Sequence, residues 1–297
     1  MTVTTVKNFK GRGYKLIVFT RYLLMSLLAL FFLFPIVFMF VSSLKPDMQL
    51  LRDSASFRAF LPVGDISLNN YTEAFERAPV GKFILNSILV TSITVLLGLI
   101  VNSMAGFAIA IPRWKGKEIV LSLIIATFIV PFETIAVPLL LLVNKLPTFG
   151  AEGFAEGWLN SYHVQIIPFI ANAFSIFLFV QFFKSLPNSL VEAARIDGAG
   201  WFQIYRNVII PVSGPVFATV AILTFLPMWN QYLWPLMVVQ QEEFRPVMVG
   251  LDYFFQLNIA WGEVMAFLSI ITIPVLVLFL ALQSAFVESI AESGIKG

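Results

Sequence analysis

Residues 186–215 read LPNSLVEAARIDGAGWFQIYRNVIIPVSGP and form a polar, helix-forming interval between two long apolar segments. Ser189 and Glu192 have the spacing of a capping box, which predicts a helix that starts at Ser189. Asp197-Gly198 predicts the end of that helix, because glycine readily adopts the left-handed conformation found there. We therefore expect two short helices, joined by a turn, along a membrane surface.

The second helix of this interval is predicted from an apolar face. Its members recur at i, i+3, i+4, i+7 and i+8, and they are Trp201, Ile204, Tyr205, Val208 and Ile209. Pro211 then stops or bends the chain before the next apolar segment.

The first helix has a small-residue surface at Ala193 and Ala194, which would let another protein approach closely. Glu192 lies near the end of the helix dipole that is positive. These features favour docking against a partner. They are equally compatible with a simple amphipathic linker in which Glu192 only caps the helix.

The composition places the chain in a lipid bilayer. Of its 297 residues, 59% are hydrophobic and 12% are charged, with a mean hydropathy of +0.88. Soluble domains are about half apolar and about a quarter charged. A net charge of +2 is too small to indicate nucleic-acid binding. The single histidine, His163, is expected in a loop as solvated surface.

Six apolar runs predict an all-α polytopic membrane protein, since each is long enough to span about 30 Å of hydrocarbon. We place the spans at residues 22–41, 84–111, 119–143, 164–183, 212–239 and 264–287. The basic segment 1–21 lacks the features of a signal peptide and is expected to be a retained cytoplasmic segment. Residues 22–287 then form the membrane domain, with the loop 186–211, and residues 288–297 form a cytoplasmic tail.

The distribution of basic residues in short loops predicts the orientation. The N-terminal segment, the loop with Arg113, and the loop 186–211 alternate onto one side, while the opposite short loops offer only Lys145 and Arg245. Both termini and the loop 186–211 are therefore expected in the cytoplasm.

Polar residues inside the predicted spans are candidates for a solute pathway. Glu133 follows Pro131 in the third span, and an acid in hydrocarbon normally faces protein or a water-filled path. It could line the substrate route or pair with a partner, or it could be protonated and hydrogen-bonded as a structural contact; we favour the structural or interface role.

The sequence WNQYLWP, residues 229–235, supplies aromatic faces and amides that suit a sugar. Asn230 is favoured for the pathway, with Trp229 and Gln231 as further candidates. Trp234 is interpreted as a member of the aromatic belt at the membrane interface.

A family resemblance is carried by Glu192-Ala193-Ala194-x-x-Asp197-Gly198-Ala199, followed by Pro211 and Pro215. The pattern resembles the EAA loop of ATP-binding-cassette importer permeases, in particular the carbohydrate-uptake type that includes maltose permeases. Gly200-Trp201 departs from the family, where a polar residue is more usual, and Ser289 and Ser293 stand where the family's C-terminal tail usually has glycines.

The resemblance implies a type I importer permease fold in the bacterial inner membrane, with residues 186–211, the coupling loop, contacting a cytoplasmic ATPase. The implied contact residues are Glu192, Ala193, Ala194, Asp197, Gly198 and Ala199. The implied partners are a second homologous permease, two ATPase subunits that bind ATP and Mg²⁺, and an extracytoplasmic solute-binding protein that delivers a sugar or oligosaccharide.

The sequence contains no P-loop, zinc-protease or nucleophile-elbow motif and no cysteine, so it predicts no cofactor, metal or enzymatic site in this chain. The energy for transport must then come from a partner ATPase. The alternative is a gradient-driven secondary transporter or channel that acts alone; such folds often contain repeated halves, and no convincing repeat is evident here.

Overall fold

The structure is a computed structural model that describes residues 12–150, 153–256 and 259–294. The helices within these ranges are α1 Arg12–Ser42, α2 Asp47–Asp53, α3 Asn69–Arg77, α4 Val80–Ala110, α5 Lys117–Phe128, α6 Phe132–Val143, α7 Tyr162–Ile170, α8 Ala173–Ser185, α9 Asn188–Ile196, α10 Trp201–Ile204, α11 Gly214–Trp229, α12 Leu233–Val238, α13 Val247–Gly250 and α14 Trp261–Gly294. Short 3₁₀ or π-helical turns connect several of them. The helical class is confirmed.

The structure also contains a short β-hairpin, which the all-α prediction did not include. Strands β1 Pro147–Gly150 and β2 Gly153–Glu156 pair antiparallel, with Pro147 opposite Glu156. The residues between the strands lie outside the described ranges, as do most of the N-terminal segment (1–11) and the last three residues of the predicted tail.

Three single helical segments are long and apolar enough to cross a membrane, namely Tyr14–Ser42, Val80–Ala110 and Trp261–Ala281. Three bent pairs meet the same criterion together: α5 with α6 at 97°, α7 with α8 at 40°, and Trp201–Val212 with α11 at 82°. The described residues therefore provide three spans, or up to six if each bent pair is one span. The six-span prediction corresponds to the upper count.

Three predicted spans are not continuous helices, and the fourth breaks between Ile170, where α7 ends, and Ala173, where α8 begins. The third breaks before Pro131, which precedes α6 and lacks the N–H that a continuing helix needs. The fifth was predicted over 212–239, but α11 ends at Trp229 and α12 begins at Leu233. A continuous helix would press the ring of Pro235 against the carbonyl of Gln231, four residues earlier.

The chain divides into two compact units. The first contains the described residues up to 76 together with 259–270, and a buried ion pair lies in it. Lys45 Nζ lies 3.2 Å from Asp53 Oδ2, with side-chain exposures of 1% and 3%. Lys45 also donates to the carbonyl of Arg58, and Gln49 donates to Asp53. These bonds satisfy charges that would be unfavourable if buried alone.

Asn70 connects α3 to a distant segment of the first unit. It is the second residue of α3, and its Nδ2 donates to the carbonyls of Ser43 and Lys45, at 2.8 and 2.9 Å. The amide is therefore used to hold residues far away in sequence.

The second unit, which contains residues 77–256, is built around α4. This helix packs against α7, α8 and α11, and its Gly106 lies so close to α8 that an added Cβ would stand 2.6 Å from Phe179 Cβ. The main buried cluster consists of Phe107, Phe179, Phe183, Ile204, Tyr205, Ile209, Val216 and Val220. The coupling loop therefore contributes to the same core as the membrane helices.

Two asparagines on α4 form hydrogen bonds with backbone groups of other segments. Asn102 Nδ2 donates to the carbonyl of Ile170, and Asn102 Oδ1 accepts from the N–H of Asn172, both at 2.9 Å. These two bonds bridge the break between α7 and α8. Near the other end of α4, Asn86 Nδ2 donates to the carbonyls of Glu243 and Arg245, both at 2.9 Å.

Candidate functional site

The first helix of the coupling loop is α9, and its predicted start was wrong. α9 begins at Asn188 after Pro187, and no side chain caps its first turn. The fixed φ of Pro187, −59°, is already suited to a helix, so the helix starts before Ser189. Glu192 therefore lies in the middle of α9, and the first turn contains no acidic residue.

The predicted end of α9 is confirmed and forms a Schellman motif. Gly198 has φ of +81°, in the left-handed region. Its N–H donates to the carbonyl of Arg195 at 3.1 Å, and the N–H of Ala199 donates to the carbonyl of Ala194 at 2.9 Å. The turn thus satisfies carbonyls that the helix leaves unpaired.

Helical spacing gives α9 an exposed face formed by Ser189, Glu192, Ala193 and Ile196, which we call the docking face. Asp197 and Gly198, beyond it, are also exposed. Two of the six predicted contact residues, Ala194 and Ala199, are half-buried and pack against the core cluster. The predicted residues are contiguous in space, but they are divided between an exposed face and a packed one.

Ile196 was missed among the predicted site residues. Its side chain is 85% exposed, the largest value among the large apolar residues of the described chain. Its position, four residues after Glu192 on the same helix, could have identified it. Ile196 therefore adds an exposed apolar side chain to the docking face.

The second part of the loop is helical but irregular. α10 is followed by a π-helical turn, Tyr205–Ile209, and a 3₁₀ turn, Ile210–Val212. Pro211 cannot donate a backbone hydrogen bond, which accounts for the change of helix type around it. The predicted apolar face is confirmed at Ile204, Tyr205 and Ile209, which are buried.

Trp201 departs from that apolar face, since its side chain is 42% exposed. The guanidinium of Arg195 lies 4.7 Å from the ring centroid, a cation–π contact that ties the end of α9 to the start of α10. The backbone N–H of Gly200 donates to Gln203 Oε1 at 2.8 Å, which caps α10. Because Gly200 has no side chain, it cannot accept the reciprocal hydrogen bond from the backbone N–H of Gln203 that completes a capping box.

The break between α11 and α12 holds the residues predicted for the pathway. Asn230 is exposed and its Nδ2 donates to the carbonyl of Leu226 at 2.8 Å, while Gln231 is half-buried. Trp229 is only 2% exposed and stacks on Phe225. A side chain this buried offers a solute almost no surface, so the position of Trp229 in this chain does not support its pathway prediction.

Glu133 is exposed and lies in the first turn of α6, immediately after the break at Pro131. In the part of the chain that the structure describes, its carboxylate makes no hydrogen bond or ion pair. The sequence placed this residue midway along a continuous span. Its position at a helix start, beside a 97° bend, instead puts it at an irregular part of the fold.

The predicted environments of Trp234 and His163 were wrong. Trp234 is fully buried and its Nε1 donates to the carbonyl of Val164 at 2.9 Å, so it is a core residue and not part of a lipid-interface belt. His163 is the second residue of α7, is half-buried and contacts Trp158 edge-on, so it does not lie in a solvated loop.

Comparison with known families decides the identity of this helical arrangement. Residues 95–292, which include the docking face and the breaks on both sides of α11, match the family described as binding-protein-dependent transport system inner membrane component. The chain belongs to this family. The permease interpretation is therefore confirmed, and a gradient-driven transporter acting alone is not supported.

Full-length relatives of this inner membrane component are also found. It is 31% identical to the arabinooligosaccharides transport system permease protein AraQ of Bacillus subtilis (strain 168), over 93% of this chain and 94% of the relative. It is 30% identical to the lactose transport system permease protein LacG of Rhizobium radiobacter, over 92% and 94%. It is 31% identical to the sn-glycerol-3-phosphate transport system permease protein UgpE of Brucella abortus (strain 2308), over 88% and 91%.

Solved structures support the permease fold. A chain of a bacterial ABC transporter involved in the import of the acidic polysaccharide alginate superposes with a TM-score of 0.77 and 25% identity, covering 94% of this chain and 99% of that one. A chain from a bacterial alginate ABC transporter in complex with an alginate pentasaccharide-bound periplasmic protein has a TM-score of 0.60. At 14% identity, with 92% and 96% coverage, the second similarity shows the fold alone.

Proposed function

We propose that this permease subunit forms half of the translocation pathway for a sugar or oligosaccharide and is driven by a partner ATPase through the coupling loop. The observation that carries the coupling proposal is the docking face. It presents Glu192, Ala193 and Ile196 outward, while the opposite side of α9 packs on the same buried cluster as α4, α8 and α11. A displacement of α9 would therefore be transmitted directly to the membrane helices.

The proposed substrate class rests on the relatives. Of the three relatives described above, two are named for arabinooligosaccharides and lactose, and the third is named for sn-glycerol-3-phosphate. The solute would be delivered by an extracytoplasmic binding protein, as in the alginate transporter complex. A second homologous permease would form the other half of the pathway.

The proposed orientation follows the basic residues of the short loops. Both termini and the coupling loop lie in the cytoplasm, where α9 can meet two ATPase subunits. ATP and Mg²⁺ are bound by those subunits, since the sequence of this chain lacks a P-loop. Residues 22–287 form the membrane domain, and 1–21 and 288–297 are its cytoplasmic extensions.

The proposed pathway contribution is made by Asn230 and Gln231. Both lie in the break between α11 and α12, where an irregular backbone at membrane depth is tolerated because it lines a cavity or packs on protein. Glu133 lies in a similar position at the break before α6. We assign Glu133 a role in contacts between subunits.

Charge reversal on the docking face tests the coupling proposal. Glu192→Lys should reduce recovery of the ATPase subunits with the permease and abolish ATP-dependent sugar uptake, while membrane insertion stays normal. Glu73→Lys, on an exposed position of α3, is the matched control and should leave both unchanged. Full ATPase recovery together with normal uptake in Glu192→Lys would exclude α9 as the coupling helix.

A further inference from the structure

A cavity of about 240 Å³ lies beside the loop that follows α12. Its lining combines apolar side chains with polar ones: Leu236, Val239, Val249, Arg245, Asp252 and Tyr253. Asn86 holds the carbonyl of Arg245, which places the cavity near the N-terminal end of α4. Ser103 lies 17 residues further along α4 and contacts the coupling loop, so about 25 Å of helix separates the two sites.

Arg245 has one buried donor without an acceptor. Its Nη1 donates to Tyr253 Oη at 2.9 Å, and its Nη2 donates to the carbonyl of Gln240 at 2.7 Å. Arg245 Nε is buried and has no hydrogen-bond partner among the described residues. Because Nε has almost no accessible surface, a ligand in the cavity can reach the Arg245 guanidinium only at its Nη atoms.

The charges around the cavity disfavour an anion. Asp252 lines the cavity and accepts a hydrogen bond from Tyr232 at 3.0 Å, and Glu242 accepts one from Tyr253 at 2.7 Å. Two carboxylates therefore accompany the single guanidinium of Arg245. A negatively charged ligand would gain one favourable interaction and meet two unfavourable ones.

Tyr253 is held as a neutral phenol. Burial raises its pKa, and the hydrogen bond to Glu242 raises it further. Its ring lies 5.7 Å from the Arg245 guanidinium and 5.4 Å from the Phe83 ring, which fixes its orientation. The cavity thus has a rigid aromatic wall beside its polar groups.

We propose that this cavity binds one ring of an uncharged saccharide. Hydroxyl oxygens would accept from the Nη atoms of Arg245, hydroxyl hydrogens would donate to Asp252, and the C–H faces would pack on Tyr253 and Leu236. The volume is below the roughly 300–1,000 Å³ of sites for drug-sized ligands, which suits a single sugar ring. This inference rests on the proposed function and narrows the substrate to neutral sugars over uronic acids or sugar phosphates.

Saturation-transfer NMR tests the site with the assembled importer, purified in lipid nanodiscs without its binding protein. The probes are D-glucose, D-galactose and L-arabinose as neutral rings, and D-glucuronate as the acidic counterpart. Leu236→Trp should fill the cavity without breaking any hydrogen bond described above. Leu233→Trp, on the same helix and similarly exposed but outside the cavity lining, is the matched control.

We expect at least one neutral sugar to give a signal that Leu236→Trp reduces at least fivefold and Leu233→Trp leaves unchanged. Glucuronate should give no such signal in the wild type and gain one in Asp252→Asn. The proposal is overturned if no neutral sugar gives a signal sensitive to Leu236→Trp, or if wild-type glucuronate binds equally well. ATP-dependent sugar uptake by the wild-type importer with its binding protein, measured in parallel, shows separately whether the proposed function holds.

Discussion

The hydroxyls of Ser103 and Tyr205 lie 2.7 Å apart in the buried core. This hydrogen bond joins α4 to the segment that follows α9, and it is a direct polar link between the coupling loop and the central membrane helix. Tyr205 Oη has this partner on α4, whereas Ser103 Oγ also lies 3.1 Å from the carbonyl of Ile100. Removing the Tyr205 hydroxyl therefore leaves Ser103 with a second acceptor. Removing the Ser103 hydroxyl leaves the Tyr205 hydroxyl without this partner.

Tyr205→Phe should lower the stability of the permease by about 1 kcal/mol, the usual contribution of one buried hydrogen bond. Ser103→Ala should cost more, because it leaves the buried Tyr205 hydroxyl without its partner, and the double variant should cost less than the sum. Thermal unfolding of the purified complex measures all three. Strict additivity would contradict an energetic link between the two hydroxyls.

Gly198→Ala should cost about 1 kcal/mol, because an L-residue at φ of +81° is strained although nothing lies within 4 Å of the added Cβ. Gly198→Asn should cost less, since asparagine tolerates this conformation better. Gly214→Ala is the control: it also meets no neighbour, lies at the start of α11 and has no left-handed φ. Equal melting temperatures for the Gly198→Ala and Gly214→Ala variants would argue against the Schellman turn.

Ile196→Ala should weaken ATPase binding by roughly 30-fold if the side chain is buried on docking, because about 2 kcal/mol of apolar contact is lost. The stability of the permease itself should change by less than about 0.5 kcal/mol, since Ile196 is 85% exposed. Leu190→Ala, on the same helix but off the docking face, is the control. Titration of ATPase subunits onto immobilised permease gives the affinities, and an unchanged value for Ile196→Ala would remove this residue from the interface.

Acid should destabilise the first unit through Asp53. Burial alone would raise the pKa of Asp53, but hydrogen bonds from Lys45 and Gln49 and the charges of Lys45 and Arg58 hold it below its ordinary value of 3.8. A depressed pKa contributes stability above pH 3.8 that is lost as the pH falls through the folded-state value. Wild-type melting temperatures should therefore drop below about pH 4.

The matched variant for this pH dependence is Asp53→Asn. It should melt lower than the wild type at pH 7, because Lys45 loses its counter-charge, and the gap should narrow towards pH 3. A gap that stays constant over this pH range would show that the titration of Asp53 does not contribute.

Glu133→Gln should retain most transport, because no described group pairs with the carboxylate and the amide has nearly the same shape. Glu118→Gln, at the equivalent first-turn position of α5, is the control. ATP-dependent uptake into proteoliposomes is the measurement. A sharp loss in Glu133→Gln alone, with normal assembly, would assign the charge of Glu133 to the solute pathway.

Local chemistry explains which features were predictable. The apolar runs, the helix end at Gly198 and the apolar face of Ile204, Tyr205 and Ile209 follow from composition, glycine conformation and helical period. The start of α9 was missed because Pro187 competes with the Ser189 capping signal. The break before α12 was missed because hydropathy does not register the missing N–H of Pro235.

The features that the sequence did not predict depend on hydrogen-bond partners that lie far away along the chain. Trp234 donates to a carbonyl 70 residues away, and Asn86 holds a loop about 160 residues away. Nothing near these residues in the sequence indicates either partner. Their burial was therefore not predictable, and neither was the cavity that Arg245 helps to line.

The sequence by itself determined that this chain crosses a membrane several times and displays a short helix ending at Gly198, because hydrophobicity and backbone preference act over a few residues. Only the tertiary structure decided which side of α9 faces outward, where the spans break and which side chains surround the cavity. Those outcomes depend on packing and hydrogen bonds between segments that are distant along the chain, and such contacts exist only once the helices are assembled.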